Sequence, residues 1–110
     1  MHEMSLTHSV VEAICTHAAG RRVTRVNLEV GALTAVVPDA MRFCFDLATE
    51  GTVAEGAELH IEMPPGRAHC KTCEQDLDLP DLILLCPHCG SADVEVTSGR
   101  QLRILSMEVK

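Results

Sequence analysis

Two cysteine pairs constrain this chain more than any other feature: Cys70-Lys71-Thr72-Cys73, twelve intervening residues, then Cys86-Pro87-His88-Cys89-Gly90. Four thiolates at that spacing can enclose a divalent ion of zinc's size tetrahedrally, leaving no open position for a substrate. Each pair implies a turn folded around the metal, and Gly90 supplies the left-handed residue such a turn often needs. Two disulfides or a redox dithiol are the competing interpretations. A redox motif, however, opens a helix within a βαβ unit, whereas these pairs flank a segment ending in Leu82-Ile83-Leu84-Leu85. Closed four-cysteine sites hold folds together, so structural work is expected here and function elsewhere.

The metal matters because the chain is short. Its 110 residues allow one modest core plus a small stapled module, too few for two independent domains of ordinary size. Phe43 and Phe45 are the only aromatics, so the core has to come from Val, Leu, Ile, Ala and Met. Nine basic residues against sixteen acidic ones give a formal charge of −7, which disfavours partners bound through neutralised phosphates. That balance weighs against the main alternative, a zinc-ribbon nucleic-acid or transcription accessory module. A small metallohydrolase would need an open zinc position, and four thiolates offer none. The first residues form neither a basic leader nor an apolar run, so no signal peptide or membrane span is expected. With Cys15 and Cys44 also unpaired in pattern, the expected compartment is the cytoplasm.

In chain order, Leu6, Val10, Ala13, Ile14 and Ala18 recur at helical spacing, predicting an amphipathic helix over residues 5–19, capped by Ser5 and ended by Gly20. His17 falls on its apolar stripe and is expected at the core or its boundary. His8 lies off the stripe and is expected in solvent, near enough in sequence to the N-terminus to be a secondary metal contact. Cys15, at the stripe's flank, is expected to pack. Residues 22–33 alternate, with Val26, Leu28 and Val30 on one face of a half-buried strand. Pro38 opens a second helix, Asp39 suits its positive end, Met41, Cys44, Phe45 and Ala48 form its buried stripe, and Gly51 closes it. A second strand spans residues 57–63, with His60 on its polar face, and Pro64-Pro65-Gly66 then marks a boundary. The cysteine module follows and Ser98-Gly99 offers the return. Leu102, Ile104, Leu105, Met107 and Val109 make a last strand that nothing local can cover, so it is expected to rejoin the first sheet. The predicted fold is α+β: residues 1–65 and a returning strand at 99–110 build a small α/β domain, with residues 66–98 inserted as a four-cysteine, zinc-ribbon-like module.

Ahead of the predicted first helix, Met1-His2-Glu3 crowds an α-amine, an imidazole and a carboxylate into three residues. A nitrogen-rich tetragonal set of this kind, completed by deprotonated backbone amides, suits Ni(II) or Cu(II) better than zinc. The bulk of His2 should also discourage removal of Met1. On residues alone, the commoner meaning of such a histidine is an exposed side chain on a frayed terminus.

The start Met1-His2-Glu3-Met4-Ser5-Leu6, the body to Ile61-Glu62, the Cys70/Cys73 and Cys86/Cys89 pairs and the closing Leu102-Arg103-Ile104 to Glu108 together resemble the HypA/HybF family of nickel metallochaperones for nickel-iron hydrogenase maturation. The resemblance spans the whole chain. It implies a nickel domain of two helices and a three-stranded mixed sheet with a zinc domain attached. It implies that the Met1 amine, His2 and the adjoining backbone nitrogens bind nickel, with Glu3 ligating or tuning the site, and that Cys70, Cys73, Cys86 and Cys89 hold structural zinc. It further implies no catalysis, a HypB-type partner GTPase, and delivery to the hydrogenase large subunit, with urease a client of some members. Some members carry histidines just after the cysteine pairs. Here Glu74 and Gly90 stand there, so His69 and His88 are expected to be spectators.

Overall fold

A computed structural model describes residues 2–80 and 82–110, and of His2 the backbone alone. The chain divides into two compact units, neither continuous in sequence: Met1–Leu28, Val36–Ile61 and Arg103–Lys110 form the first, Glu29–Ala35 and Glu62–Leu102 the second.

The first unit begins with helix α1, His2–Ala18. The helix therefore starts three residues before Ser5, which lies inside it as an ordinary turn residue whose carbonyl accepts the Ser9 hydroxyl. Two things favour the longer helix. Glu3 places negative charge in the first turn, where the helix dipole stabilises it, and its carboxylate accepts the Val37 backbone N–H at 3.4 Å. Val10, Val11, Ile14 and Ala18 form the buried stripe, joined by Thr7, whose hydroxyl is satisfied by the Glu3 carbonyl at 2.6 Å. His17, expected on that stripe, is exposed, and its ring bonds the Ala13 carbonyl. The helix ends where Ala19 and then Gly20 turn to positive φ.

Strand β1, Val23–Val30, buries Val23, Val26, Leu28 and Val30. It ends earlier than the alternation suggests, because Gly31 leads into a single 3-10 turn, Ala32–Thr34, that carries Leu33. Helix α2, Pro38–Ala48, has its proline in the first turn and buries Met41, Cys44 and Phe45. It packs against α1. Its end is closed by Thr49, whose buried hydroxyl donates to the Phe45 carbonyl at 2.8 Å. β2, Glu58–Glu62, follows with Leu59 and Ile61 half-buried.

The second unit holds β3, Gly66–Cys70, β4, Gln75–Leu79, and β5, Val94–Ser98, in the order β4-β3-β5. Both pairings are antiparallel, with Ala68 facing Leu77 on one side and Val96 on the other. Leu33, Ala68, Leu77 and Leu79 form its core together with Cys70 and Cys86. The last strand, β6, Leu102–Val109, rejoins the first sheet, whose order is β2-β1-β6. The first sheet is mixed, as expected, and the α+β architecture with a four-cysteine module is the one read from the sequence.

Three glycines explain why Glu29–Ala35 belongs to the second unit. A β-carbon on Gly31 would lie 2.1 Å from the Gly99 carbonyl oxygen, one on Gly99 2.6 Å from the Gly66 α-carbon, and one on Gly66 2.4 Å from Leu33. The backbones meet where side chains would stand. Leu33 N–H donates to the Gly99 carbonyl and Gly31 N–H to the Gln101 carbonyl, both at 2.8 Å.

Candidate metal centre

Each cysteine pair occupies a turn of the same design. Cys70 ends β3 and Gln75 begins β4, so the first pair is the hairpin connection between them. Its last turn closes through Glu74 N–H to the Cys70 carbonyl at 2.9 Å, and the second pair closes in the same way, Gly90 N–H to the Cys86 carbonyl at 2.8 Å. In both turns the residue after the second cysteine is left-handed, Glu74 at φ 59° and Gly90 at φ 76°. The two turns are tied by Lys71 N–H to the Asp93 carbonyl, 3.0 Å, and by the Thr72 and Ser91 hydroxyls, 2.8 Å apart.

The result is four free thiols whose sulfurs all lie within 4.8 Å of one another, with Cys70 to Cys89 at 3.6 Å and Cys73 to Cys86 at 3.7 Å. A tetrahedral zinc with bonds near 2.3 Å separates its sulfurs by about 3.8 Å, so the donor set and its spacing fit that ion. Cys70 and Cys86 are buried in the core, Cys73 is half-buried and Cys89 exposed.

The turn geometry also prepares the charges. In each pair, backbone N–H groups point at the first sulfur. Cys73 N–H reaches Cys70 Sγ at 3.5 Å, and His88 and Cys89 N–H reach Cys86 Sγ at 3.4 and 3.5 Å. The Cys73 N–H is the main reason that the Cys70 thiol lies below its ordinary range. At Cys86 burial opposes ionisation, but the Cys89 and His88 N–H groups outweigh it and the thiol falls to about 7. Burial and then the neighbouring sulfurs push Cys73 up to about 12. Cys89 is also raised: a bond from the Ser91 backbone favours its thiolate, but burial and the Cys70 and Cys86 sulfurs win. Ionised sulfurs this close together repel one another, and a cation bound among them would relieve that repulsion.

Both ring nitrogens of His69 are engaged by carboxylates, Nδ1 by Asp76 at 2.9 Å and Nε2 by Glu74 at 3.3 Å. Those bonds, Asp76 first, raise its pKa above the ordinary histidine value. His88 contributes a backbone N–H, and among the described residues the four cysteines cluster without a histidine. The four cysteines that the fold gathers are the ones the sequence spacing singled out. Sequence reasoning missed Glu74, since nothing in a glutamate announces a left-handed turn, and it missed the Thr72 and Ser91 clasp, whose partners become neighbours only through the fold.

The proposed N-terminal ligands have a different status. Met1 and the side chain of His2 lie outside the described residues. Glu3 is described, half-buried, with its carboxylate at the start of α2. His8 is exposed on α1.

Comparison with known proteins agrees with this anatomy. Residues 1–109 match a family model described as hydrogenase/urease nickel incorporation, metallochaperone, hypA. The chain is 47% identical over 110 residues to the hydrogenase maturation factor HypA of Geobacter metallireducens and 46% identical to that of Geobacter sulfurreducens, covering all of each. Its fold matches the solution structure of the Ni metallochaperone HypA from Helicobacter pylori with a TM-score of 0.69, at 27% identity over 99% of this chain and 97% of that one.

Proposed function

This chain belongs to the HypA family of hydrogenase and urease nickel-incorporation metallochaperones, and from that premise we propose that it carries Ni(II) at its N-terminus while zinc fixes the cysteine module. The observation that carries the division of labour is the closure of the four-thiolate cluster. All four positions of a tetrahedral ion are taken by protein, so cargo that must be received and released needs another site. Met1-His2-Glu3 offers one, built from the α-amine, the His2 imidazole and adjoining backbone nitrogens, with Glu3 ligating or tuning it. The start of α1 at His2 favours this reading, because the first N–H groups of a helix have no intrahelical acceptor and are available for deprotonation by a metal.

Zinc, held by Cys70, Cys73, Cys86 and Cys89, supplies crosslinking and charge neutralisation. The protein acts as a carrier in the cytoplasm and catalyses nothing. Its partners are a HypB-type GTPase and the nickel-iron hydrogenase large subunit. The acidic charge argues against nucleic acid, and among the described residues no helix is long and apolar enough to cross a membrane.

The test is made at the first two residues. His2→Ala removes the imidazole, and a Gly-Ser extension ahead of Met1 converts the amine to an amide while keeping every side chain. Calorimetric titration with Ni(II) should show specific binding lost in both, with zinc content unchanged. Wild-type nickel affinity in the extended protein would rule out the amine as a ligand, and wild-type affinity in His2→Ala would rule out the N-terminal site.

A further inference from the structure

Between the end of β4 and Cys86 stand four consecutive large apolar residues, Leu82, Ile83, Leu84 and Leu85, exposed to 56, 64, 38 and 48%. Leu79 before the run and Cys86 after it are buried in the core of the second unit. An exposed apolar run of this length is a liability for a soluble chain unless something covers it. Core packing does not account for it, since the residues that anchor the loop are buried and those it displays are not.

The charge of the unit that carries the loop selects what can cover it. Glu29–Ala35 and Glu62–Leu102 contain eight acidic residues and three basic ones. Two of those three are already ion-paired, Arg67 with Asp78 and Lys71 with Glu95. Asp76 and Asp78 lie exposed on β4, the strand that leads into the loop. An anionic lipid surface would be repelled, and a second copy would bring its own negative charge.

We propose that residues 82–85 are a docking loop for a protein partner presenting an apolar groove rimmed by lysine and arginine. Apolar side chains supply affinity, and the acidic surround supplies encounter rate and register. The proposal rests on the nickel-carrier reading only in naming whom to test, the hydrogenase large subunit and the HypB-type GTPase.

The experiment measures binding of the zinc-loaded full chain to each purified protein, at salt from about 0.05 to about 0.5 M. The expected result is that one of the two binds less tightly as salt rises. Its affinity should fall at least tenfold with Leu82→Ser/Ile83→Ser and recover with Leu82→Met/Ile83→Leu, while zinc content and Ni(II) binding stay unchanged. Undiminished binding by the serine variant overturns the proposal and leaves the carrier function standing. Zinc loss in that variant overturns it too, by making the run structural. So does loop-dependent self-association in sedimentation, or loop-dependent binding to phosphatidylserine vesicles. Failure of the wild-type chain to bind either protein removes the partner assignment itself and the docking proposal with it.

Discussion

Gly31→Ala isolates the close approach of backbones in the second unit. Gly31 has φ −59° and ψ 145°, which any residue adopts, so the substitution carries no penalty in backbone angle. Its cost is steric. The new methyl would sit 2.1 Å from the Gly99 carbonyl oxygen and 2.4 Å from the carbonyl carbon, and main-chain atoms cannot rotate aside. A carbon and a carbonyl oxygen tolerate about 3.3 Å, so the two segments must part by about 1 Å. The hydrogen bonds bracketing the contact, Leu33 N–H to Gly99 O and Gly31 N–H to Gln101 O, start at 2.8 Å and would be stretched past useful length. Each is worth about 1 kcal/mol net, and overpacking adds about 1–3 kcal/mol, giving a loss of about 3–5 kcal/mol. At this chain length that is a fall in melting temperature of about 12–20 °C. Gly20→Ala is the control: its φ of +87° costs about 1–2 kcal/mol, but nothing lies within 4 Å of the added carbon. Calorimetry of the zinc-loaded proteins, with a chromophoric chelator reporting zinc release, compares them. If Gly31→Ala melts no lower than Gly20→Ala and keeps its zinc, the three-glycine junction does not hold the second unit together.

Cys73→Ala is expected to take zinc content from one per chain to none by metal analysis and to disorder the second unit, while circular dichroism retains the helices α1 and α2 of the first. Nickel affinity should weaken as pH falls through the ordinary titration ranges of the α-amine and then of histidine, and stay low below them, since both groups must lose protons to bind in the proposed site; titration calorimetry at several pH values reads this, and a flat profile contradicts the proposed ligand set. In the zinc-loaded protein the His69 ring should titrate above the ordinary histidine range by NMR, and Asp76→Asn should bring it down, because Asp76 is the main cause of the shift. The sign follows from a folded pKa above the unfolded one: the pair's stabilisation is fully present below the unfolded value of about 6.5 and is lost as pH rises through the folded value.

Local signals were legible where one residue type dictates one geometry. Pro38, the Met41, Cys44 and Phe45 stripe and the alternation of Val26, Leu28 and Val30 gave α2 and β1, and the cysteine spacing singled out the four residues that cluster. The start of α1 was not legible, because Ser5 has the chemistry of a cap, while the feature that competes with it, the bond from Val37 N–H to Glu3, joins residues 34 apart. Thr7 reads as polar and is buried, since its hydroxyl is satisfied within the helix. The junction of Gly31, Gly66 and Gly99 was hidden for the same reason as the Glu3 contact. Each glycine reads as a local break, and only the fold shows that the three breaks are one place.

The interleaving of the two units has a consequence for how the protein is made. The central strand of the first sheet, β1, is among the earliest segments synthesised, and its neighbour β6 is the last element of all. Until β6 emerges, β1 can pair with β2 alone, and a two-stranded sheet is marginal in water. The second unit is complete in sequence once Leu102 has appeared, with β6 still unmade apart from its first residue. During translation, then, the second unit is complete in sequence while the unit bearing the N-terminus still lacks a strand. A chain cut back to Leu102 would thus keep every residue of the cysteine module while leaving the first sheet with two of its three strands.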